Sequence, residues 1–228
     1  MSHSDFDTAL ITAAFRIAGE QGWPSVTIAA AARAADLSLA EARERFPDRS
    51  TLLLRFGRMI DRMALGGAAP EGTVRECLFE LLMRRYDALQ PHRAGVKSLM
   101  RALPTDPPHA LLLHVATHRS MRWMLQAAGV TAAGLRGELQ TKGLAAVWYW
   151  GLRTWERDET EDLTATMATV DSALARADRV ASWLHGRRPE TPPAPTEEAP
   201  AGAEPPPDSS PPPDDTPLGD MPPPGPTV

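Results

Sequence analysis

The sequence predicts an all-α protein with two helical domains and a disordered C-terminal tail. Apolar residues recur at helical spacing almost throughout residues 5–184, and no stretch alternates convincingly between apolar and polar residues as a half-buried strand does. A glycine- and proline-rich segment at 66–72 interrupts the pattern, and the composition changes where the tail begins. We therefore predict an N-terminal domain over residues 1–66, a helical bundle over 67–188 and a tail over 189–228.

The N-terminal domain has the pattern of a helix-turn-helix. Small residues at 29–35 allow one short helix to lie close against another, and Asp36 interrupts that helix because aspartate tolerates turn geometry. Ser38 is followed three residues later by Glu41, a capping-box pattern that begins the next helix, and Pro47 ends it. Two short helices with a tight turn are a common way to place one helix in the DNA major groove. The helices predicted in this domain lie at residues 5–21, 27–35 and 38–46 and from 49 to the segment 66–72.

The second domain is predicted to contain larger helices. They lie at residues 73–89, 91–103, 107–128, 131–155 and 163–184. Five of the six tryptophans fall here, and the consecutive residues 148–150 (Trp-Tyr-Trp) cannot all face one core. We predict an apolar ligand pocket lined by Tyr86, Trp123, Met124 and Trp148. The alternative, that these residues form only core and dimer interface, stays open because Met and Trp fill ordinary cores.

No catalytic site, metal centre or cofactor is predicted. His114 and His118 have a spacing that suits one metal ion, but no acid or thiol stands close in sequence, and Arg119 and Arg122 oppose a cation. The sequence contains no nucleophile elbow, Walker loop, dinucleotide-binding glycine motif or zincin helix. Cys77 is the only cysteine, which excludes an intrachain disulfide and suits a reducing cytoplasm. We expect a protein that is not an enzyme.

Charge and composition separate the tail from the rest of the chain. Residues 189–228 hold 16 of the 23 prolines, eight acids and no lysine, arginine or aromatic residue, so they are predicted to be disordered. The chain has 24 basic and 29 acidic residues, and without the eight acids of the tail residues 1–188 carry a net charge of +3. That positive balance permits nucleic-acid binding without arguing for it. Residues 1–66 hold eight arginines and eight acids, and this neutrality weakens a DNA-binding interpretation, because phosphate contacts supply most non-specific affinity.

Membrane insertion and secretion are not expected. No apolar run approaches the length needed to span a bilayer, and the N-terminal residues lack the basic-then-apolar pattern of a signal peptide. The sequence therefore predicts a cytoplasmic protein.

The first third of the chain contains four predicted helices separated by short segments. An amphipathic helix containing residues 11–15 closes at 21–23 (Gln-Gly-Trp), Thr27 opens a second helix, Leu37-Ser38 starts a third, and residues 46–49 (Phe-Pro-Asp-Arg) lead into a fourth. This order resembles the N-terminal domain of the TetR family of bacterial transcriptional regulators. Where members of that family usually carry Tyr and His in the recognition helix, this chain has arginines.

The TetR resemblance implies a function and the residues that would contact DNA. It implies a repressor that forms a homodimer through its last two helices, binds a palindromic DNA operator and is controlled by a small apolar ligand. It places phosphate contacts at Thr27, Arg43 and Arg49, base contacts at Ser38, Leu39 and Ala40, and either kind of contact at Arg45.

A second resemblance leads to a different function. The residues Gly22-Trp23, the alanine-rich second helix, the segment 42–47 and the aromatic late helix before an acidic loop are similar to a TetR-like family of coenzyme-Q (ubiquinone) biosynthesis. That resemblance implies an accessory protein that binds an isoprenoid or other lipid and does not bind DNA. Only under this alternative is contact with a membrane surface expected, through apolar residues of the last helix.

Overall fold

The computed structural model describes residues 3–186, with side chains described to Arg179, and this part of the chain is helical with no strand. The all-α prediction is confirmed. The α-helices are α1 (His3–Gln21), α2 (Ile28–Ala34), α3 (Leu39–Arg45), α4 (Arg49–Leu65), α5 (Val74–Leu89), α6 (Arg93–Ala102), α7 (Pro107–Ala127), α8 (Gly134–Arg157) and α9 (Thr164–Gly186). Short 3-10 turns lie at Trp23–Ser25, Gln90–His92 and Leu103–Thr105. The predicted tail lies outside the described residues.

Side-chain caps begin several of these helices. The caps of α2, α3, α4 and α5 are Thr27, Ser38, Asp48 and Thr73. At α5 the capping box is complete, because the Glu76 carboxylate accepts from the Thr73 N–H at 2.8 Å. At α3 the Ser38 hydroxyl accepts from the Glu41 N–H at 3.4 Å, but the Glu41 carboxylate lies 3.7 Å from Arg45. The capping box predicted at α3 is therefore only half formed. Ser38 caps the helix, but Glu41 pairs with Arg45 and does not bond to the Ser38 N–H.

The first helix packs directly against the sixth. A Cβ built on Gly95 of α6 would overlap the backbone carbonyl of Phe15, so the two helices approach with no side chain between them. Around this contact the rings of Phe15 and Phe56 stack with centroids 3.9 Å apart, and Trp23 is buried. The Ser98 hydroxyl accepts from the Trp23 N–H at 2.8 Å, which fixes the turn after α1 on α6.

A second part of the core lies where α5, α7, α8 and α9 meet. The rings of Tyr86 and Trp148 stack at 4.5 Å, and the Tyr86 hydroxyl donates to the Trp148 carbonyl at 2.8 Å. Gly151 leaves room for that hydroxyl, since a Cβ there would overlap it. Burial raises the pKa of Tyr86 far above its usual range, so the ring stays neutral and its hydroxyl remains a donor.

The predicted domain junction falls in a non-helical segment between α4 and α5. Helix α4 ends at Leu65 and α5 begins at Val74, but α4 also packs against α5 and α7, so contacts cross the junction. The division at residue 66 stays a prediction. None of the helices in residues 3–186 is long and apolar enough to cross a bilayer.

Candidate nucleic-acid interface

The turn between α2 and α3 has defined geometry. Asp36 takes a left-handed conformation with φ 54°, and its N–H donates to the Arg33 carbonyl at 3.2 Å. The N–H of Leu37 donates to the Ala32 carbonyl at 2.9 Å, which completes a Schellman motif at the end of α2. Glycine usually holds this left-handed position, and aspartate is among the few other residues that tolerate it. The turn predicted from Asp36 is thus present and rigidly hydrogen-bonded.

Helix α3 is anchored on one side and open on the other. Its inward residues, Ala42 and Phe46 at its end, are completely buried. A seven-residue helix is too short to be stable alone, so this packing holds it in place. Leu39 is 46% exposed although it is a large apolar residue. The other exposed residues at the start and outer side of this helix are Ser38, Ala40, Arg43 and Glu44.

Arg45 faces the first helix. Its guanidinium donates to the Asp7 carboxylate at 2.8 Å and to the His3 backbone carbonyl at 2.7 Å, and it lies over the Phe6 ring. Only 15% of the side chain is exposed. In this conformation Arg45 binds α3 to α1 and does not extend toward a ligand outside α3. Its partners lie about forty positions earlier in the chain, and no sequence signal joins them to Arg45.

The predicted phosphate contacts have different surroundings. Arg43 is exposed and donates to the Pro47 carbonyl at 3.2 Å, a bond that water or phosphate can replace. Thr27 is exposed, and its hydroxyl accepts from the Ala30 N–H at 3.1 Å. Arg49 is half-buried in the first turn of α4. Thr27 caps the N-terminus of α2 and Arg49 lies in the first turn of α4, where backbone N–H groups suit anions, whereas Arg43 lies in the last turn of α3.

The four predicted pocket residues divide into two groups. Tyr86, Met124 and Trp148 are buried, with at most 4% of each residue exposed. Trp123 is 61% exposed. Its neighbours Met121 and Met124 occupy the inward positions of α7, which places Trp123 on the outer surface. The predicted pocket stays a prediction, and Trp123 does not lie with the other three residues.

The structure contains a buried charged cluster beside Trp148 that the sequence did not predict. The Arg85 guanidinium of α5 donates to the Asp61 carboxylate of α4 and to the Ser120 hydroxyl of α7. It lies 4.7 Å from the centroid of the Trp148 ring, and its Nε has no hydrogen-bond partner among the described residues. Burial lowers the pKa of Arg85 to about 10, so it stays charged at neutral pH.

The two histidines considered for a metal site engage different residues of α8. His114 contacts the Tyr149 hydroxyl at 3.3 Å, and His118 lies 3.2 Å from the Glu138 carboxylate. Among the side chains that the structure describes, through Arg179, no group of three or more metal-ligating residues comes together.

Comparison with known proteins identifies the fold. No protein-family model and no curated protein matches the sequence. A TetR transcriptional regulator from Nitrosomonas europaea ATCC 19718 matches in structure with a TM-score of 0.64 and 20% identity, covering 76% of this chain and 98% of that one. A TetR-family regulator from Streptomyces coelicolor matches at 0.56 and 18%, covering 82% and 87%. One from Rhodococcus sp. RHA1 matches at 0.53 and 16%, covering 76% and 97%. The chain has a TetR-like fold, as the sequence features predicted.

Proposed function

We propose, from its TetR-like fold, that the protein is a DNA-binding transcriptional regulator and not an enzyme. The observation that carries the proposal is the open face of α3. Ser38, Leu39 and Ala40 are exposed while Ala42 and Phe46 hold the opposite side in the core. Reading bases in the major groove requires a helix that is fixed on one side and accessible on the other.

Each predicted contact then has a role. Leu39 and Ala40 suit apolar contact with thymine methyl groups, and the Ser38 hydroxyl suits either a donor or an acceptor on a base edge. Arg43 and Arg49 contact phosphate, together with Thr27. We assign Arg45 to holding α3 on α1, because its guanidinium is already bonded to Asp7 and His3.

The active form is proposed to be a homodimer on a palindromic operator. Helix α8 exposes Leu135, Leu139 and Trp150, and the position of Gly143 between them is open. Large apolar residues on one exposed helix face suit burial against a second copy, as in the proposed pairing of α8 and α9. A two-fold dimer presents two copies of α3 to two operator half-sites.

The regulator is proposed to be controlled by a small apolar ligand. Because Tyr86, Met124 and Trp148 are buried, a ligand that contacts them must enter the core of the second domain. The link from Asp61 of α4 to Arg85 would connect such a ligand to the DNA-binding helices. The ligand regulates only if it binds the two states of the protein with different affinity. Repression is the simplest output of an occupied operator.

The test is DNA binding by the full chain to fragments of the upstream region of its own gene, over a series of salt concentrations. Specific binding that weakens steeply with salt is expected. Leu39→Ser should reduce discrimination between operator and random DNA, and Arg43→Ala should weaken binding to both. Arg136→Ala, on the exposed start of α8, serves as the matched control and should leave both unchanged. Equal affinity for operator and random DNA at every salt concentration would contradict the assignment.

The lipid-binding alternative is favoured by one observation. Large apolar residues are exposed on both α7 and α8: Leu111, Val115 and Trp123 on α7, and Leu135, Leu139 and Trp150 on α8. Such a surface suits an isoprenoid or a membrane as well as a second copy. A folded dimer that binds no DNA at low salt but releases a co-purifying isoprenoid on extraction would favour this alternative over the regulator.

A further inference from the structure

A groove between α1 and α4 contains a cluster of arginines that the proposed function does not use. The groove has a volume of about 100 Å³. Arg55, Arg58 and Arg62 line it from α4, and Ser4 and Asp7 line it from α1. Residues three and four positions apart lie on one face of a helix, so these arginines form a single row.

The groove carries more positive than negative charge. Asp7 is the one acid among the residues that line it, against three arginines. Arg45 of α3 already holds one oxygen of the Asp7 carboxylate at 2.8 Å, and Arg55 holds the other. One carboxylate therefore serves two guanidinium groups, and the charge of Arg55 is only partly balanced.

The other two arginines retain free hydrogen-bonding capacity. Arg58 is exposed, and no hydrogen bond or ion pair joins it to the residues that the structure describes. Arg62 reaches the Ser4 hydroxyl at 3.4 Å, which is long for a hydrogen bond. A guanidinium group has five N–H donors in a planar fork that matches phosphate oxygens. Two such groups one helical turn apart form a ready site for an oligophosphate.

We propose that the α1–α4 groove binds phosphate groups through Arg58 and Arg62, with Arg55 as a third cation. The phosphates come from one of two sources, a nucleic-acid backbone or a free oligophosphate compound. The groove adjoins the end of α3, because Arg45 and Arg55 meet on Asp7. A nucleic-acid backbone that passes α3 can therefore reach the groove. The nucleic-acid backbone as a source rests on the proposed function, whereas the phosphate site itself does not.

The first experiment is a calorimetric titration of the full chain with sodium tripolyphosphate at low salt. The wild-type chain is expected to bind with a saturable one-to-one stoichiometry. The double variant Arg58→Gln with Arg62→Gln should bind about tenfold more weakly, because it loses charge-assisted hydrogen bonds. Arg136→Gln removes an exposed arginine of α8 and should change the affinity by less than about twofold. Both variants should unfold at the wild-type temperature.

The second experiment separates the two sources. The affinity for duplex DNA is measured against salt concentration for the same variants. In a plot of the logarithm of the DNA association constant against the logarithm of the salt concentration, each lost phosphate contact reduces the steepness of the slope by about 0.9. A slope reduced by about two in the double variant identifies the nucleic-acid backbone as the source. An unchanged slope together with weakened tripolyphosphate binding identifies a free phosphate compound.

The proposal is overturned if the double variant behaves like Arg136→Gln in both titrations. That result differs from a failure of the proposed function. A wild-type chain that binds tripolyphosphate in the groove but shows no specific DNA binding would reject the regulator and retain the phosphate site.

Discussion

Two arginine–carboxylate clusters join helices in this molecule, and they differ in burial. In the first, Asp7 of α1 binds Arg45 of α3 and Arg55 of α4, with 15–33% of each side chain exposed. In the second, Asp61 of α4 binds Arg85 of α5, whose side chain is only 7% exposed. The residue types are the same, but Arg85 is nearly fully buried, whereas the exposed fraction of its partner Asp61, 26%, is close to that of Asp7, 21%.

That difference decides what each cluster does. A half-exposed ion pair contributes little to stability, so its members remain free to exchange partners, which a phosphate site requires. A buried pair is costly to form and still more costly to break, because removal of one member leaves a charge without water or partner. The Asp7 cluster therefore holds α3 on α1 through Arg45 and leaves Arg55 able to contact phosphate, and the Asp61 cluster holds α4 against α5 and α7.

The largest effect is expected from Arg85→Met. Asp61 loses its cationic partner and keeps the hydrogen bond from the Ser120 hydroxyl, so the free energy of unfolding should fall by about 2–3 kcal/mol. Urea denaturation monitored by tryptophan fluorescence measures this change. The neighbouring variant Arg84→Met, which breaks a more exposed pair with Glu80, should cost less than about 1 kcal/mol.

A second substitution sharpens this prediction. In the double variant Arg85→Met with Asp61→Asn, no carboxylate is left without a cationic partner. Part of the lost free energy of unfolding should therefore return. If Arg85→Met costs no more than Arg84→Met, burial does not distinguish the two clusters.

An intermediate effect is expected from Asp158→Asn, at the end of α8, whose carboxylate accepts hydrogen bonds from the first turn of α9. Burial raises the pKa of the Asp158 carboxyl, but hydrogen bonds from Thr160 and Thr166 outweigh it and hold the pKa at about 2. Since this value lies below that of the unfolded chain, ionised Asp158 stabilises the folded state above about pH 4. At pH 7 the variant should lose about 1–2 kcal/mol of unfolding free energy.

The pH dependence provides the check. The difference between wild type and Asp158→Asn should shrink as the pH falls from about 4 toward 2, where the wild-type carboxyl becomes protonated. Thermal denaturation over this range measures it. A difference that is constant with pH would show that the carboxylate charge does not contribute, and that Asp158 acts through the shape of its side chain alone.

The smallest effect is expected from Arg45→Gln. The loss of its bonds to Asp7 and His3 should lower the free energy of unfolding by about 1 kcal/mol or less. High salt should reduce this loss further, because salt screens half-exposed charges. Arg43→Gln, two positions earlier and exposed, should leave stability unchanged. A loss with Arg45→Gln as large as that with Arg85→Met would remove the contrast between the clusters.

Sequence reasoning succeeded where the signals were local. Asp36, Ser38 and Pro47 act on their immediate neighbours, so the turn and the bounds of α3 were predictable from turn and capping chemistry. The partners of Arg45 and Arg85 were not predictable, because Asp7 and Asp61 lie 38 and 24 positions away and no periodicity connects them.

The candidate ligand site shows the same limit. Aromatic content led us to predict an apolar pocket in the second domain, which stays a prediction, and Tyr86 and Trp148 stack in the core there. Composition does not show, however, which side of a helix faces the core. In α7 the inward positions belong to Met121 and Met124, and Trp123 between them points outward.

The contact between α1 and α6 also constrains how the protein can move. Packed helices slide past each other through small changes in side-chain rotamers. At Gly95 there is no side chain, and the backbone of α6 lies directly on the carbonyl of Phe15. This close approach leaves little room for sliding along the seam, so we expect a movement of α1 to carry α6 with it.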